Sequence, residues 1–251
     1  MTREEQLTKI NEDKVKRMNE EVGHLSYYDC PICKNKGVVF ISHGITYSFK
    51  DCECKPIRHM HEMIHDSGLK SQFDRCTLES FKHLKPHHKI MKERALTFID
   101  NPTRAIIFSG MTGVGKSHIS VAILNELLKK HYEFTYLNYA NEFTQLQLDL
   151  KNFNEDISDK ARKRLKEIST VKVLYIDDFL KVGSYDNVFD LINARYIDND
   201  LITIISTERT NEEIKRIDMA VHGRLREMCG KDNWINIGYD ENKNERLKIG
   251  E

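Results

Sequence analysis

Apolar positions along this chain follow two different rules. In residues 2–22, Leu7, Ile10, Val15, Met18 and Val22 recur at roughly helical spacing among charged neighbours, which predicts an amphipathic helix. Its stripe suits either packing against the rest of the chain or docking of a partner. From residue 105 onward, short apolar runs of buried-strand type occupy 105–109 (AIIFS), 134–138, 171–176, 201–206 and 234–237. Helical patterns lie between them. One covers 117–130, with Ile119, Ala122, Ile123 and Leu127 on one face; another covers 142–166, with a break near Asn152-Phe153-Asn154. Further helices are expected at 188–196, 211–217 and 220–228. Strand alternating with helix predicts an α/β domain whose parallel sheet is covered on both faces.

The stretch between these regimes is organised by other residues. Four cysteines fall within 28–55, Pro56 opens a short helix over 56–65, and Ser67-Gly68 ends it. Residues 71–103 read as a connector, closed by the turn signal Asn101-Pro102. The expected organisation is a small module over 1–70 and a larger domain over 71–251.

Charge narrows the function classes. The 251 residues carry 39 basic and 39 acidic side chains, so overall charge favours neither nucleic acid nor membrane, and any basic site is local. The N-terminus, MTREEQLTKINEDK, has no apolar signal-peptide core. No apolar run approaches the roughly 18–20 residues that span a bilayer. A soluble, cytoplasmic protein without membrane contact is expected.

The most specific chemical signal is Gly110-Met111-Thr112-Gly113-Val114-Gly115-Lys116-Ser117, a full match to G-x-x-x-x-G-K-[ST] between an apolar strand and an amphipathic helix. Glycines let successive backbone N–H groups turn inward on phosphate oxygens, and the following helix, which includes His118, points its positive end at the same anion. Lys116 is placed to reach the β and γ phosphates of ATP, and Ser117 to offer a hydroxyl to Mg²⁺. Sixty residues later VLYIDD delivers Asp177 and Asp178 at the end of a strand. Asp177 is the candidate magnesium residue and Asp178 the candidate general base that polarises the attacking water.

Of the six cysteines, Cys30, Cys33, Cys52 and Cys54 cluster, while Cys76 and Cys229 stand alone. Four thiolates in a short, apolar-poor module suit a tetrahedral zinc ion that supplies what a small core does not. The Cys52-x-Cys54 pair needs a bent backbone to reach one ion, and His43 is an alternative to either member. Free thiols or a redox pair are the competing assignments. His61-Glu62-Met63-Ile64-His65 matches the zinc-protease pattern H-E-x-x-H, but it sits on a short polar helix with no domain around it and no third ligand, so it is set aside. Residues 160–166 place five basic side chains in seven positions, suited either to single-stranded DNA or to solvent.

With these pieces in place, the chain resembles the DnaC/DnaI-type replicative helicase loaders of bacteria and bacteriophages, over most of its length. The resemblance rests on the two cysteine pairs, FDRCTLESF at 73–81, the phosphate loop, YIDDF at 175–179, ARY at 194–196, TIISTERT at 203–210 and GRLRE at 223–227. It implies an AAA+ fold with a five-stranded parallel sheet, the phosphate loop after the first strand, and no helical lid, in keeping with the short tail after Trp234. It implies ATP hydrolysis, an N-terminal module that grips a hexameric DnaB-type helicase, and ATP-bound domains that assemble around single-stranded DNA. It also implies that Arg224, with Arg226 as alternate, is an arginine finger for a neighbouring subunit. Many relatives end the fourth strand in an asparagine that senses the γ-phosphate. Here Ser206-Thr207-Glu208 stands instead, leaving Thr207 or Ser206 for that task and implying slow, switch-like hydrolysis. The rivals are an IstB-type transposition ATPase, which shares the ATPase motifs but normally lacks the cysteine module, and an ATP-binding adaptor without significant hydrolysis.

Overall fold

The computed structural model describes residues 2–82, 85–182 and 185–239. The chain divides into two compact units, Met1–Gly68 and Leu69–Glu251.

In the first unit, α1 (Arg3–Glu20) starts at a capping box. The Thr2 hydroxyl accepts from the Glu5 amide at 3.2 Å, and the Glu5 carboxylate accepts from the Thr2 amide at 2.7 Å. The helix lies on an antiparallel hairpin of β1 (Val38–His43) and β2 (Thr46–Asp51) that turns at Gly44, where φ is 72°. Of the apolar stripe, the side it uses takes Val15. Asn11, Val15 and Asn19, at i, i+4 and i+8, face the hairpin. The Asn11 amide donates to the carbonyls of Gly44 (2.7 Å) and Thr46 (2.6 Å), and Asn19 exchanges two 2.9 Å bonds with the backbone of Phe40. Leu7, Ile10 and Val22 stay exposed. The helical period was legible, but two asparagines choose the face. The hairpin itself carries little apolar alternation, since every residue of β2 is exposed. The unit closes with α2 (Cys54–Asp66).

The second unit holds a five-stranded parallel sheet. Its strands are β3 (Ala105–Gly110), β4 (Phe134–Asn138), β5 (Val173–Asp177), β6 (Ile202–Thr207) and β7 (Trp234–Ile237), in the order β4-β5-β6-β3-β7. All residues of β3 and β6 are buried, as befits the central strands of a covered parallel sheet. On it pack α5 (Lys116–Lys129), which buries the predicted Ile119, Ala122, Ile123 and Leu127, then α7 (Glu155–Thr170) and α10 (Met219–Cys229). A π-helical turn (Tyr139–Phe143) leads into α6 (Thr144–Leu150), and Asn154 caps α7 at the expected break. Between β5 and β6 runs α8 (Val188–Ile197), and α9 (Asn211–Ile217) precedes α10.

The expected connector is helical: α3 (Lys70–Arg75) and α4 (Pro86–Asp100) occupy it. The signal was present in the sequence, because Met91, Ala95, Phe98 and Ile99 recur at i, i+4, i+7 and i+8 and all are buried. Among the described residues, Arg195 is the largest fully buried side chain. It donates to the carbonyls of Ile168 (3.1 Å), Val171 (3.0 Å) and Ile202 (2.7 Å) and to the Thr203 hydroxyl (2.9 Å), tying the end of α7 and the chain after it to β6. Burial holds its pKa down to about 9, opposed by the carboxylate of Asp198. The tail beyond Tyr239 lies outside the described residues.

Candidate functional site

The strand order decides which residues meet. With β6 between β3 and β5, the phosphate loop, the two aspartates and the segment 206–208 all emerge at the same sheet edge, where open α/β sheets bind ligands. A cleft of about 570 Å³ there is lined by Thr112, Gly113, Gly115, Lys116, Ser117, His118, Asp177, Asp178 and Glu208 among others.

The loop's glycines are required by geometry at two positions. Gly110 has φ 150°, and a Cβ there would lie 2.6 Å from the carbonyl oxygen of Ile237 on β7. Gly115, with φ 90°, would press a Cβ to 2.9 Å from the ring of Phe81. Met111 and Val114 complete the loop, Val114 with no exposed surface. Lys116 is buried, and its Nζ donates to the carbonyls of Gly110 and Met111, each at 2.8 Å. Burial lowers its pKa, opposed by Glu208, Asp178 and Asp177. The Ser117 hydroxyl donates to Asp177 Oδ1 at 3.2 Å. Tyr175 OH donates to the same oxygen at 2.9 Å, and the Ser206 hydroxyl donates to it as well. One carboxylate oxygen thus gathers three hydroxyls, a hard-oxygen set of the kind that suits Mg²⁺ beside a phosphate.

Ser206 and Thr207 divide sharply. Ser206 reaches Asp177, whereas the Thr207 hydroxyl donates to the Phe179 carbonyl at 2.6 Å and accepts from the Arg209 amide at 3.0 Å. Thr207 is fully buried and does not line the cleft; alternation along β6 turns it away. Glu208, the next residue, does line it, accepting from Thr112 Oγ1 and pairing with Lys181 at 3.1 Å. Burial alone would raise the Glu208 pKa, but these two partners hold it below the ordinary glutamate value.

Gln72, Arg75 and Cys76, which the sequence places in a connector, also line the cleft. Asn125 of α5 pins that segment by donating to the carbonyls of Phe73 and Cys76, each at 3.0 Å. His118 packs edge-on against Phe81 and lies 3.1 Å from Ser80 Oγ. Burial lowers its pKa.

Arg224 is not in its own cleft. Its guanidinium stacks over Phe189 at 4.3 Å and Tyr196 at 5.5 Å, and its Nε donates to Asn193 Oδ1 at 2.8 Å. Arg226 lies 5.7 Å over Trp234. The basic run 160–166 is less free than its sequence suggests. Arg164 is bound by Glu142, Glu167 and the Tyr136 carbonyl, and Arg162 pairs with Asp159. Lys160, Lys163 and Lys166 make no ion pair among the described residues.

In the first unit, all four clustered cysteines are buried and their sulfurs lie within 4.8 Å of one another. Cys30–Cys52 and Cys33–Cys54 are 3.7 and 3.6 Å apart. Four sulfurs about 2.3 Å from one tetrahedral ion would lie about 3.8 Å apart, so the set fits zinc. The bend needed by Cys52 and Cys54 comes from the joint between β2 and α2, where the Lys55 amide donates to the Cys52 carbonyl at 3.0 Å. His43 is no alternative ligand. It is paired with Thr46 at the hairpin's turn, about 16 Å along β1 from Val38 beside the cluster, and its ring bonds Ser48 at 2.7 Å. Burial raises the Cys33 pKa, but the Gly37 amide and the neighbouring thiols outweigh it and set it at about 6. Burial pushes Cys54 up to about 12 and raises Cys52. Four thiolates thus need a cation to coexist. Among the described residues this is the cluster with metal-ligand geometry; His61 and His65 instead pack on Tyr28 and Tyr27.

The chain is similar to known proteins. The protein of the phage-like element PBSX, XkdC of Bacillus subtilis (strain 168), is 25% identical over 242 residues, 89% of this chain and 88% of that protein. The replicative helicase loader DnaC of Escherichia coli (strain K12) is 21% identical over 188 residues, 72% of this chain and 74% of that one. The crystal structure of DnaI superposes with a TM-score of 0.54 at 18% identity, covering 67% of this chain and 91% of that chain, which shows a common fold. No helix among the described residues is long and apolar enough to cross a membrane. The model of the IstB-like ATP binding protein family matches residues 53–217, well over half of the sequence, and the chain belongs to that family, with an AAA+ P-loop fold.

Proposed function

We propose that this protein is an ATP-dependent loader that grips a DnaB-type replicative helicase and places it on single-stranded DNA in the bacterial cytoplasm. One observation carries the reading. A complete phosphate-loop site with Ser117 bonded to Asp177 occurs in a chain that also has a four-cysteine centre and is similar to DnaC across 72% of its length.

ATP is bound by the amides of Gly110–Ser117 and by Lys116, which exchanges the loop carbonyls for phosphate oxygens. Gln72, Arg75 and Cys76 form a further wall of the same cleft. Ser117 and Asp177 hold magnesium, which when bound neutralises phosphate charge. Asp178 accepts a proton from the attacking water, and Ser206 orients Asp177. Arg224, presented on an aromatic shelf outside its own cleft, serves the site of a neighbouring subunit. Lys160, Lys163 and Lys166 contact DNA phosphates. Cys30, Cys33, Cys52 and Cys54 hold zinc, which when bound supplies a tetrahedral tie between the hairpin and α2.

The test is complex formation with a DnaB-family hexamer, by size exclusion with light scattering, with ATP and with residues 1–68 deleted. Binding that vanishes with the deletion is expected. No binding by the intact chain would sink the loader reading. The second reading, an IstB-type transposition ATPase, is favoured by the family match. That match begins at residue 53, leaving Cys30, Cys33 and Cys52 outside it.

A further inference from the structure

Lys181 follows a stretch in which two non-glycine residues adopt the left-handed conformation, Asp178 at φ 54° and Leu180 at φ 57°. Backbone of this kind concentrates at functional sites. It folds the chain back, so that the Lys181 amide donates to the Asp178 carbonyl at 3.1 Å and the Lys181 ammonium stands 3.4 Å from Asp178 Oδ1. The same ammonium is 3.1 Å from Glu208 Oε1, the oxygen that also receives Thr112 of the phosphate loop. Beneath it, Arg209 donates to the carbonyls of Leu180 (3.0 Å) and Lys181 (3.2 Å) and fixes the backbone. The base of the lysine is anchored while its side chain remains 37% exposed at the cleft.

Two requirements of the site conflict with this arrangement. Asp178 does not polarise a water molecule well while its oxygen faces an ammonium. Glu208, hydrogen-bonded to the phosphate loop itself, repels a polyphosphate unless a cation accompanies it. The terminal phosphate of a nucleoside triphosphate answers both, because its oxygens compete with the two carboxylates for the same lysine.

We propose that Lys181 is a second phosphate-binding cation of this cleft, which leaves Asp178 for the terminal phosphate of a nucleoside triphosphate and so frees that aspartate to act on water. The proposal rests on the nucleotide-site reading above. A nucleoside diphosphate lacks the group for which Lys181 is exchanged, so the lysine stays on Asp178 and the cleft distinguishes ATP from ADP.

The experiment uses the full chain, wild type and the variants K181Q and K181R. With magnesium present, calorimetry measures affinity for ADP and for a non-hydrolysable ATP analogue, and steady-state turnover is measured alongside. In K181Q, analogue binding weakens about tenfold or more, equivalent to about 1.4 kcal/mol, while ADP binding holds and turnover falls. K181R recovers part of the analogue affinity. An analogue-to-ADP ratio equal to that of wild type in K181Q overturns the proposal, and so does a rise in turnover, which would make Lys181 only a cover on Asp178. Wild-type protein that binds neither nucleotide overturns the nucleotide-site reading together with this one.

Discussion

Ser117 and Asp177, sixty positions apart in sequence, meet at 3.2 Å, the hydroxyl donating to the carboxylate. The contact joins the first turn of α5 to the last residue of β5 across the tip of β6. It puts the hydroxyl, the candidate magnesium carboxylate and, one residue on, the candidate base within one small volume.

Replacing Asp178 by Asn tests whether this volume does chemistry. Turnover should fall about 10²–10⁴-fold, the range for loss of a general base, with nucleotide affinity retained. A steady-state ATPase assay with a parallel binding titration decides it. Unchanged function would favour an ATP-binding adaptor.

Arg224→Ala should lower turnover in assembled protein by about 10³-fold or more if the guanidinium acts across an interface. Mixing is the sharper measurement. Arg224→Ala and Asp178→Asn chains are each inactive alone, and together they should recover activity, because a mixed interface pairs an intact base with an intact arginine. No recovery on mixing would place Arg224 in a structural role on Phe189.

Much of this was legible in the sequence for a simple reason. The phosphate loop and VLYIDD are local patterns whose function depends on backbone that they themselves specify. What escaped is non-local. Gln72, Arg75 and Cys76 enter the cleft only because Asn125, from another element, pins their segment. The hairpin side of α1 takes Val15 from the apolar stripe, but Asn11 and the half-buried Asn19 fix that side by hydrogen bonding, which an apolar periodicity does not register. Thr207 was a fair candidate by proximity, but strand alternation gives that edge to Ser206 and Glu208.

Chelation separates the two units. Purified protein should release about one equivalent of zinc to a strong chelator. Amide exchange should then quicken across 30–55 and α2, while β3 and β6 keep their protection. Cys33→Ser should reproduce the effect without chelator. Zinc-free protein with full protection in 30–55 would refute the metal assignment.

Arg195→Lys should destabilise the second unit although charge is kept. A lysine does not span the carbonyls of Ile168, Val171 and Ile202 together, and each buried acceptor left unpaired costs about 1–3 kcal/mol. Chemical denaturation measures the loss. An unchanged midpoint would show that water or neighbours replace the guanidinium.

The position of β6 has a consequence for how this protein could change over time. The strand that leads into the phosphate loop, β3, and the strand that carries the two aspartates, β5, are not neighbours, and β6 lies between them, ending in Ser206 and Thr207 with Glu208 next. Of these, Thr207 bonds the backbone, Ser206 bonds Asp177, and Glu208 bonds the phosphate loop and Lys181. Under the proposed function, binding and hydrolysis are therefore adjustable from separate positions, so a single substitution at 206 or 208 would turn a timer into a latch.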